Sequence, residues 1–310
     1  ADNRGSNPRT PAQISSFKHE SKCIIAVAWL RSMEKARSVK SIVPTHTVME
    51  GGGFQVRRPA AMGSLMSPFL LLDEMGPVNY APGKAVGAPW HPHRGFETVT
   101  YLLEGEMEHE DSAGSKGTLT PGDVQWMTAG KGIIHSEMPT AKMMLEGGMM
   151  HGFQIWVNLP AKDKMMNPRY QDISAAESPI AEKNGVWARV VAGECLGVES
   201  SLDTVIPITY VHVKMDTGSV LEKNLDLDLN GMIYVFKGEI EIEGKAVSDG
   251  SLALLSNGTT IKITAKENSQ YLILAGPEIG EPIARYGPFV MNTREEIMQA
   301  IDDYQNGILA

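Results

Sequence analysis

The sequence predicts an all-β protein built from two tandem barrels, or double-sheet jelly rolls, and closed by one short C-terminal helix. Three observations carry that expectation. From Val48 onward, short apolar stretches such as Thr98–Leu103, Gly152–Val157, Met232–Phe236 and Tyr271–Ala275 are punctuated by glycine and proline, the pattern of strands joined by turns. Tyr101-Leu-Leu-Glu-Gly-Glu-Met-Glu108 matches Tyr234-Val-Phe-Lys-Gly-Glu-Ile-Glu241 at its tyrosine, its glycine and its last two glutamates, so a strand, turn and strand occur twice and two similar units follow one another. Near the end, Thr293 and Glu296 form a capping box, Ile297, Ile301 and Tyr304 share a helical face, and Gly307 supplies a stop.

Taken in chain order, 310 residues suit two domains with a core each. Residues 1–40 hold eight basic and three acidic side chains without periodicity and are expected to be a poorly structured or spurious extension. Within them, Cys23 to Leu30 is an apolar run of eight, too short for a membrane span of roughly 20 residues. Arg31 follows it with no small-x-small cleavage site, so a cytoplasmic protein is expected, or a nuclear one in a eukaryote. The first domain is placed at 41–172 and the second at 173–310, with a polar, proline-containing connector near Met166 to Lys183. Repeated short strands must hide their edges, which calls for closed sheets. The net charge of −9 disfavours direct contact with nucleic acid or anionic membrane. Cys23 and Cys195 form no C-x-x-C pair, so neither a disulfide framework nor a cysteine zinc site is indicated.

The chemistry concentrates in two segments, Trp-His91-Pro-His93-Arg-Gly-Phe-Glu97 and Gly130-Lys-Gly-Ile-Ile-His135-Ser-Glu137. In an extended chain, residues i and i+2 point to one face about 6.5 Å apart, so His91 and His93 converge, as do His135 and Glu137. Three imidazoles and a carboxylate suit a divalent Fe, Mn, Co, Ni, Cu or Zn ion, and open positions would make the site catalytic. The repeat supplies a control. The corresponding positions of the second unit hold Asn224, Asp226 and Asn230 in place of His91, His93 and Glu97, and Ile263 and Ala265 in place of His135 and Glu137. The whole set is missing together, as expected for one metal site in the first unit alone.

These residues carry a resemblance. His91-Pro-His-Arg-Gly-Phe-Glu-Thr-Val, followed by Pro121-Gly-Asp-Val-Gln-Trp-Met-Thr-Ala-Gly-Lys-Gly-Ile-Ile-His-Ser-Glu-Met-Pro139, resembles the pirin family of bicupins. The resemblance implies two cupin barrels with one ferrous ion, Fe(2+), in the N-terminal barrel, held at His91, His93, His135 and Glu137. It also implies a quercetin 2,3-dioxygenase activity that opens the heterocycle of flavonols with release of carbon monoxide, Glu137 being both ligand and base. The general cupin pattern takes its carboxylate from the position of Glu97, which is assigned here to orienting a ligating imidazole or standing as a reserve ligand. The alternative class is a redox-sensing regulator, akin to a transcription cofactor, that binds a protein partner. A monomer is expected in either case.

Weaker features have ordinary readings. Gly130-Lys-Gly132 lacks the phosphate-loop spacing and is expected to be a tight turn. Most of the 18 methionines are expected to fill cores. Trp90, Trp126, Met127 and Phe153 are candidate walls of an aromatic pocket. His19, His46, His109, His151 and His212 are expected at the surface or in hydrogen bonds, and the acidic run Glu104, Glu106, Glu108, Glu110 and Asp111 on a solvated strand face.

Overall fold

A computed structural model describes residues 35–60 and 63–310; most of the expected N-terminal extension lies outside them. Eleven strands build the first barrel: β1 (Val39–Glu50), β2 (Phe54–Pro59), β3 (Phe69–Tyr80), β4 (Ala88–His93), β5 (Phe96–Glu104), β6 (Met107–Asp111), β7 (Lys116–Leu119), β8 (Val124–Thr128), β9 (Ile133–Pro139), β10 (Gly148–Asn158) and β11 (Arg169–Ile173). One sheet of this barrel runs β11-β8-β5-β10-β3-β2-β1 and the other β4-β9-β6-β7. The second barrel repeats the plan. Leu229–Lys237 and Glu239–Ile242 take the places of β5 and β6, and the repeated glycine lies at each intervening turn with positive φ, +92° at Gly105 and +76° at Gly238. A Cβ would meet the carbonyl oxygen of Met149 at 2.8 Å in the first case and of Asn268 at 2.6 Å in the second. Only glycine satisfies both the dihedral and the contact, which is why it stands in both copies.

The barrels are joined more intimately than two beads on a string. The large sheet continues from β1 into Ser251–Leu255 and on through the second barrel, thirteen strands in all. Residues 39–44 of β1 pair with the second barrel and residues 45–50 with β2. The boundary expected at residue 40 therefore falls inside a strand, and the described part of the extension is structured. Arg37 is fully buried and donates to the carbonyl oxygens of Gly258 and Asp226 at 2.8 and 2.7 Å. The expected connector is also built in: β11 is an edge strand on β8, and Ile180–Lys183 pairs with Val186–Ala192. Edge pairing satisfies backbone groups that a loose linker would leave to water.

Side chains from both barrels meet in a shared core that includes Val99, Tyr101, Phe153, Tyr210 and Tyr234. Polar pairs are embedded in it. Arg57 makes a bidentate pair with Glu74, 2.9 Å for each bond, and reaches Asp249 of the second barrel. Burial alone would raise the Glu74 carboxyl, but hydrogen bonds from His151, Arg57 and Tyr234 outweigh it and hold it below its ordinary value. The Tyr101 hydroxyl lies 2.8 Å from His212 Nδ1, and His212 Nε2 faces Gln270 Oε1 at 3.3 Å. Burial, reinforced by Lys214, pushes His212 down to about 3. The unfolded chain therefore binds one more proton than the folded one between pH 3 and the ordinary histidine range. Stability is expected to fall as pH drops from about 6.5 towards 3, and His212→Gln to flatten that slope by roughly one proton, read from urea midpoints across the range.

The C-terminal helix α2 (Arg294–Gln305) follows α1 (Ala141–Glu146) in chain order and carries the anticipated capping box. Glu296 N donates to Thr293 Oγ1 at 3.2 Å, and Thr293 N to Glu296 Oε2 at 2.9 Å. Ile297 and Ala300 are buried beside Phe289, Met291 and Leu309, with Ile134 of β9 against the same cluster. The helix so returns to the first barrel rather than lying across sheet edges. Thr293→Ala is expected to cost about 1 kcal/mol, seen as roughly fivefold faster hydrogen exchange of the first-turn amides, with Thr293→Ser near neutral. No helix among the described residues is long and apolar enough to cross a membrane.

Candidate metal centre

Strands β4 and β9 run antiparallel with His91 opposite His135, Pro92 opposite Ile134 and His93 opposite Ile133. Alternation along β4 turns His91 and His93 the same way, and the register sets His135 directly across. The rings pack against one another with centroids 4.7 Å apart for His91 and His93, 4.5 Å for His91 and His135, and 5.0 Å for His93 and His135. One nitrogen from each lies within 4.8 Å of the others.

Protonation follows from the neighbours. His91 Nδ1 lies 2.7 Å from the Pro89 carbonyl oxygen, which places the proton on Nδ1 and leaves Nε2 as an acceptor, 3.1 Å from His135 Nε2. Burial, then the charges His135 and His91 would carry, hold His93 well below the ordinary histidine value; burial chiefly pushes His135 down to about 4. At neutral pH these two rings are uncharged donors. Among the described residues the Nδ1 of His135 is buried with no hydrogen-bond partner, and buried His93 has the Pro288 backbone beside it. Three crowded imidazoles, one ring nitrogen of each within reach of a common point, are a donor set suited to a divalent transition cation.

Glu137 shares the pocket with His91 and His93 and is one of the charges acting on His135, which it pulls upward. The Thr100 hydroxyl lies 3.0 Å from Glu137 Oε1 and 2.8 Å from Gln154 Oε1. Its single proton goes to the charged oxygen, the stronger acceptor, and Gln154 satisfies the second contact with its amide turned to donate. Glu97 stands elsewhere. On β5, Thr100 faces the site, whereas Val99 and Tyr101 face the shared core, and alternation puts Glu97 with the latter. It is fully buried, accepts from Thr128 Oγ1 at 2.7 Å, and lies beside the Trp126 indole N–H. Burial raises its pKa. The expected orienting or reserve role at the metal has no contact to support it.

The remaining expectations divide by strand face. Trp90 lines the pocket and is half exposed, while Trp126 and Phe153 lie in the shared core and Met127 in a small cluster with Ile133. The pocket's inner indole is Trp156, missed in the sequence. It projects from β10 on the face of Gln154 and meets His93 edge-on at 5.5 Å. His109 is buried and stacked on Tyr170 at 5.6 Å; the alternation Met107, His109, Asp111 along β6 was the available signal. Asp111 is buried too, its Oδ1 accepting from Ala113 N and Ser115 N, so the acidic run is not wholly a solvated face. Gly130 and Gly132 form the tight turn expected.

The pocket encloses about 630 Å³, and part of its wall comes from the chain's far end. Val290 N donates to the Arg94 carbonyl at 3.0 Å, and Arg94 pairs with Asp303 of α2 at 2.7 Å. Buried Lys164 Nζ donates to Gly95 O, Asn158 Oδ1 and Val290 O. The turn after His93 is thereby fastened to residues beyond the second barrel. In the second barrel no such centre forms: Ile263 and Ala265 are packed into an aliphatic core, and Arg37 bonds the backbone of Asp226, the counterpart of His93.

Two cupin barrels in one chain, with a histidine triad in the first and none in the second, define a bicupin whose first half alone carries a candidate metal centre. The chain belongs to the pirin family: the Pirin model matches residues 53–157 and the Pirin C-terminal cupin domain model residues 210–310. A pirin-like protein of Solanum lycopersicum is 42% identical over 266 residues, covering 83% of this chain and 88% of its own. Pirin of Homo sapiens is 39% identical over 283 residues, covering 88% and 94%. A crystal structure of quercetin 2,3-dioxygenase from Acinetobacter baumannii superposes with a TM-score of 0.85 at 35% identity, covering 89% of this chain and 99% of that one.

Proposed function

We propose that the protein is an iron-dependent dioxygenase that opens the heterocycle of a flavonol and releases carbon monoxide. The observation that carries this reading is the convergence of three imidazoles, with the Glu137 carboxylate beside them, on a pocket of about 630 Å³ walled by Trp90 and Trp156, a volume within the range of small-molecule sites. The likeness to a structure named quercetin 2,3-dioxygenase supports the same reading. His91, His93, His135 and Glu137 would hold the ion, and ferrous iron bound there supplies the redox chemistry that lets dioxygen react with an electron-rich enolate.

The chain's own part is to bind, orient and deprotonate. The indoles of Trp90 and Trp156 offer apolar surface to a planar ring system. Glu137 takes the proton of the 3-hydroxyl at its free oxygen while Thr100 steadies the other. Trp156 and Phe96, with ring centroids 4.4 Å apart, give the site an apolar inner wall against His93.

Anaerobic loading with ferrous salt followed by oxygen and quercetin tests the proposal. One carbon monoxide released per oxygen consumed is the expected result. Protein that holds its iron and consumes no oxygen with flavonols contradicts it and leaves the regulatory, partner-binding class standing.

A further inference from the structure

The pocket wall contributed by the end of the chain carries an arginine that makes no direct hydrogen bond or ion pair among the described residues. Arg285 lies on a two-stranded hairpin, Ala284–Tyr286 with Phe289–Met291, and lines the pocket together with His91, His93, Glu137 and Trp156. The hairpin is held rigidly: Val290 is bonded to Arg94 and to Lys164, and Phe289 and Met291 pack on α2. Arg285 is thus fixed over the site by residues buried on the far side of its own strand pair.

Its guanidinium carbon lies 4.6 Å from the ring centroid of Trp156. Stacking of this kind occupies the face of the guanidinium and leaves its N–H donors free at the edge. Two acids are near, Asp73 and Glu50, and both are already taken. Arg58 grips Asp73 through two bonds of 2.5 Å and Glu50 through one of 2.6 Å. Among the described residues the Arg285 side chain makes no hydrogen bond and no ion pair. Partial desolvation, and after it the neighbouring Arg58, lower its pKa against the pull of Asp73 and Glu50, and the side chain is exposed, so the group is charged and its N–H edge faces solvent, open to a ligand.

We propose that Arg285, supplied by the segment after the second barrel, sets the specificity of the first barrel's pocket by gripping an anionic oxygen on the part of a planar aromatic substrate that lies along the Trp156 wall. The substrate class is an aromatic anion, with a carboxylate or ionised phenol on the ring that stacks near Trp156. The inference rests on the reading of this pocket as a flavonol site, and it explains why the pocket wall is built from the far end of the chain. An in-plane fork of donors matches two anionic oxygens better than one neutral hydroxyl.

Iron-loaded protein and its Arg285→Gln and Arg285→Lys variants are compared with two compounds, 3-hydroxyflavone and 3-hydroxyflavone bearing a 4′-carboxylate, by tryptophan quenching for Kd and by oxygen uptake for kcat and KM. The protein is expected to bind the carboxylate at least tenfold more tightly than the parent compound. Arg285→Gln is expected to bring that ratio close to one, and Arg285→Lys to restore part of it. An unchanged ratio in Arg285→Gln overturns the inference even where both flavones are turned over. Discrimination that depends on Arg285 without any turnover sustains the inference and removes the dioxygenase reading, and failure to bind either compound removes both.

Discussion

Replacing His135 by isoleucine, the residue that the second barrel carries at the corresponding place, is expected to leave the fold intact and weaken metal binding at least a hundredfold. The second barrel shows that a strand of this geometry accepts Ile263 within a closed aliphatic core, so His135→Ile is a replacement the architecture already tolerates. The loss of affinity is large. Protein sites with four ligands bind a divalent ion with roughly 10–16 kcal/mol, so one ligand accounts for about 3 kcal/mol, or at least a hundredfold in Kd. Competition with a chelator gives the number directly. A variant that keeps stoichiometric metal at unchanged affinity would show that the triad is packing and not coordination.

The second large effect separates the two carboxylates. Glu137→Ala, again the residue of the second barrel, is expected to weaken metal binding tenfold to a hundredfold and to abolish oxygen consumption. Glu97→Gln is expected to change neither, because Glu97 faces the shared core and bonds Thr128. It should instead alter stability. Burial raises the Glu97 carboxyl above 4.5, so the folded protein binds more protons than the unfolded chain just above that pH. Stability then falls as pH rises through the folded-state value. Glu97→Gln removes this fall and makes the protein more stable at neutral pH, with a urea midpoint above that of the parent. Loss of metal in Glu97→Gln, with Glu137→Ala unaffected, would reverse the assignment.

The sequence exposed the parts of this molecule that local geometry determines. His91 and His93 two apart, a second strand ending in His135 and Glu137, and a doubled strand-turn-strand with glycine at each turn all follow from a period of two and a single dihedral requirement. The capping box of α2 is as local as a signal can be. What escaped is long-range or depends on an interrupted count. Glu97 lies an even number of residues from His93, yet Gly95, with φ of +92°, turns the chain between β4 and β5, so alternation cannot be carried from one to the other. Arg37 looked like part of a loose basic tail because its partners, Gly258 and Asp226, are some two hundred residues away. Trp156 and Arg285 meet over the pocket from segments 129 positions apart in the chain (285 − 156), and no spacing in either segment foretells it.

The most direct test of the metal centre is a crystal structure of protein purified without chelators, with anomalous data collected on both sides of the iron absorption edge. One iron peak in contact with nitrogens of His91, His93 and His135 and an oxygen of Glu137 is the predicted result. Those four side chains surrounding only ordered water after a ferrous soak, or iron bound elsewhere on the chain, would contradict it.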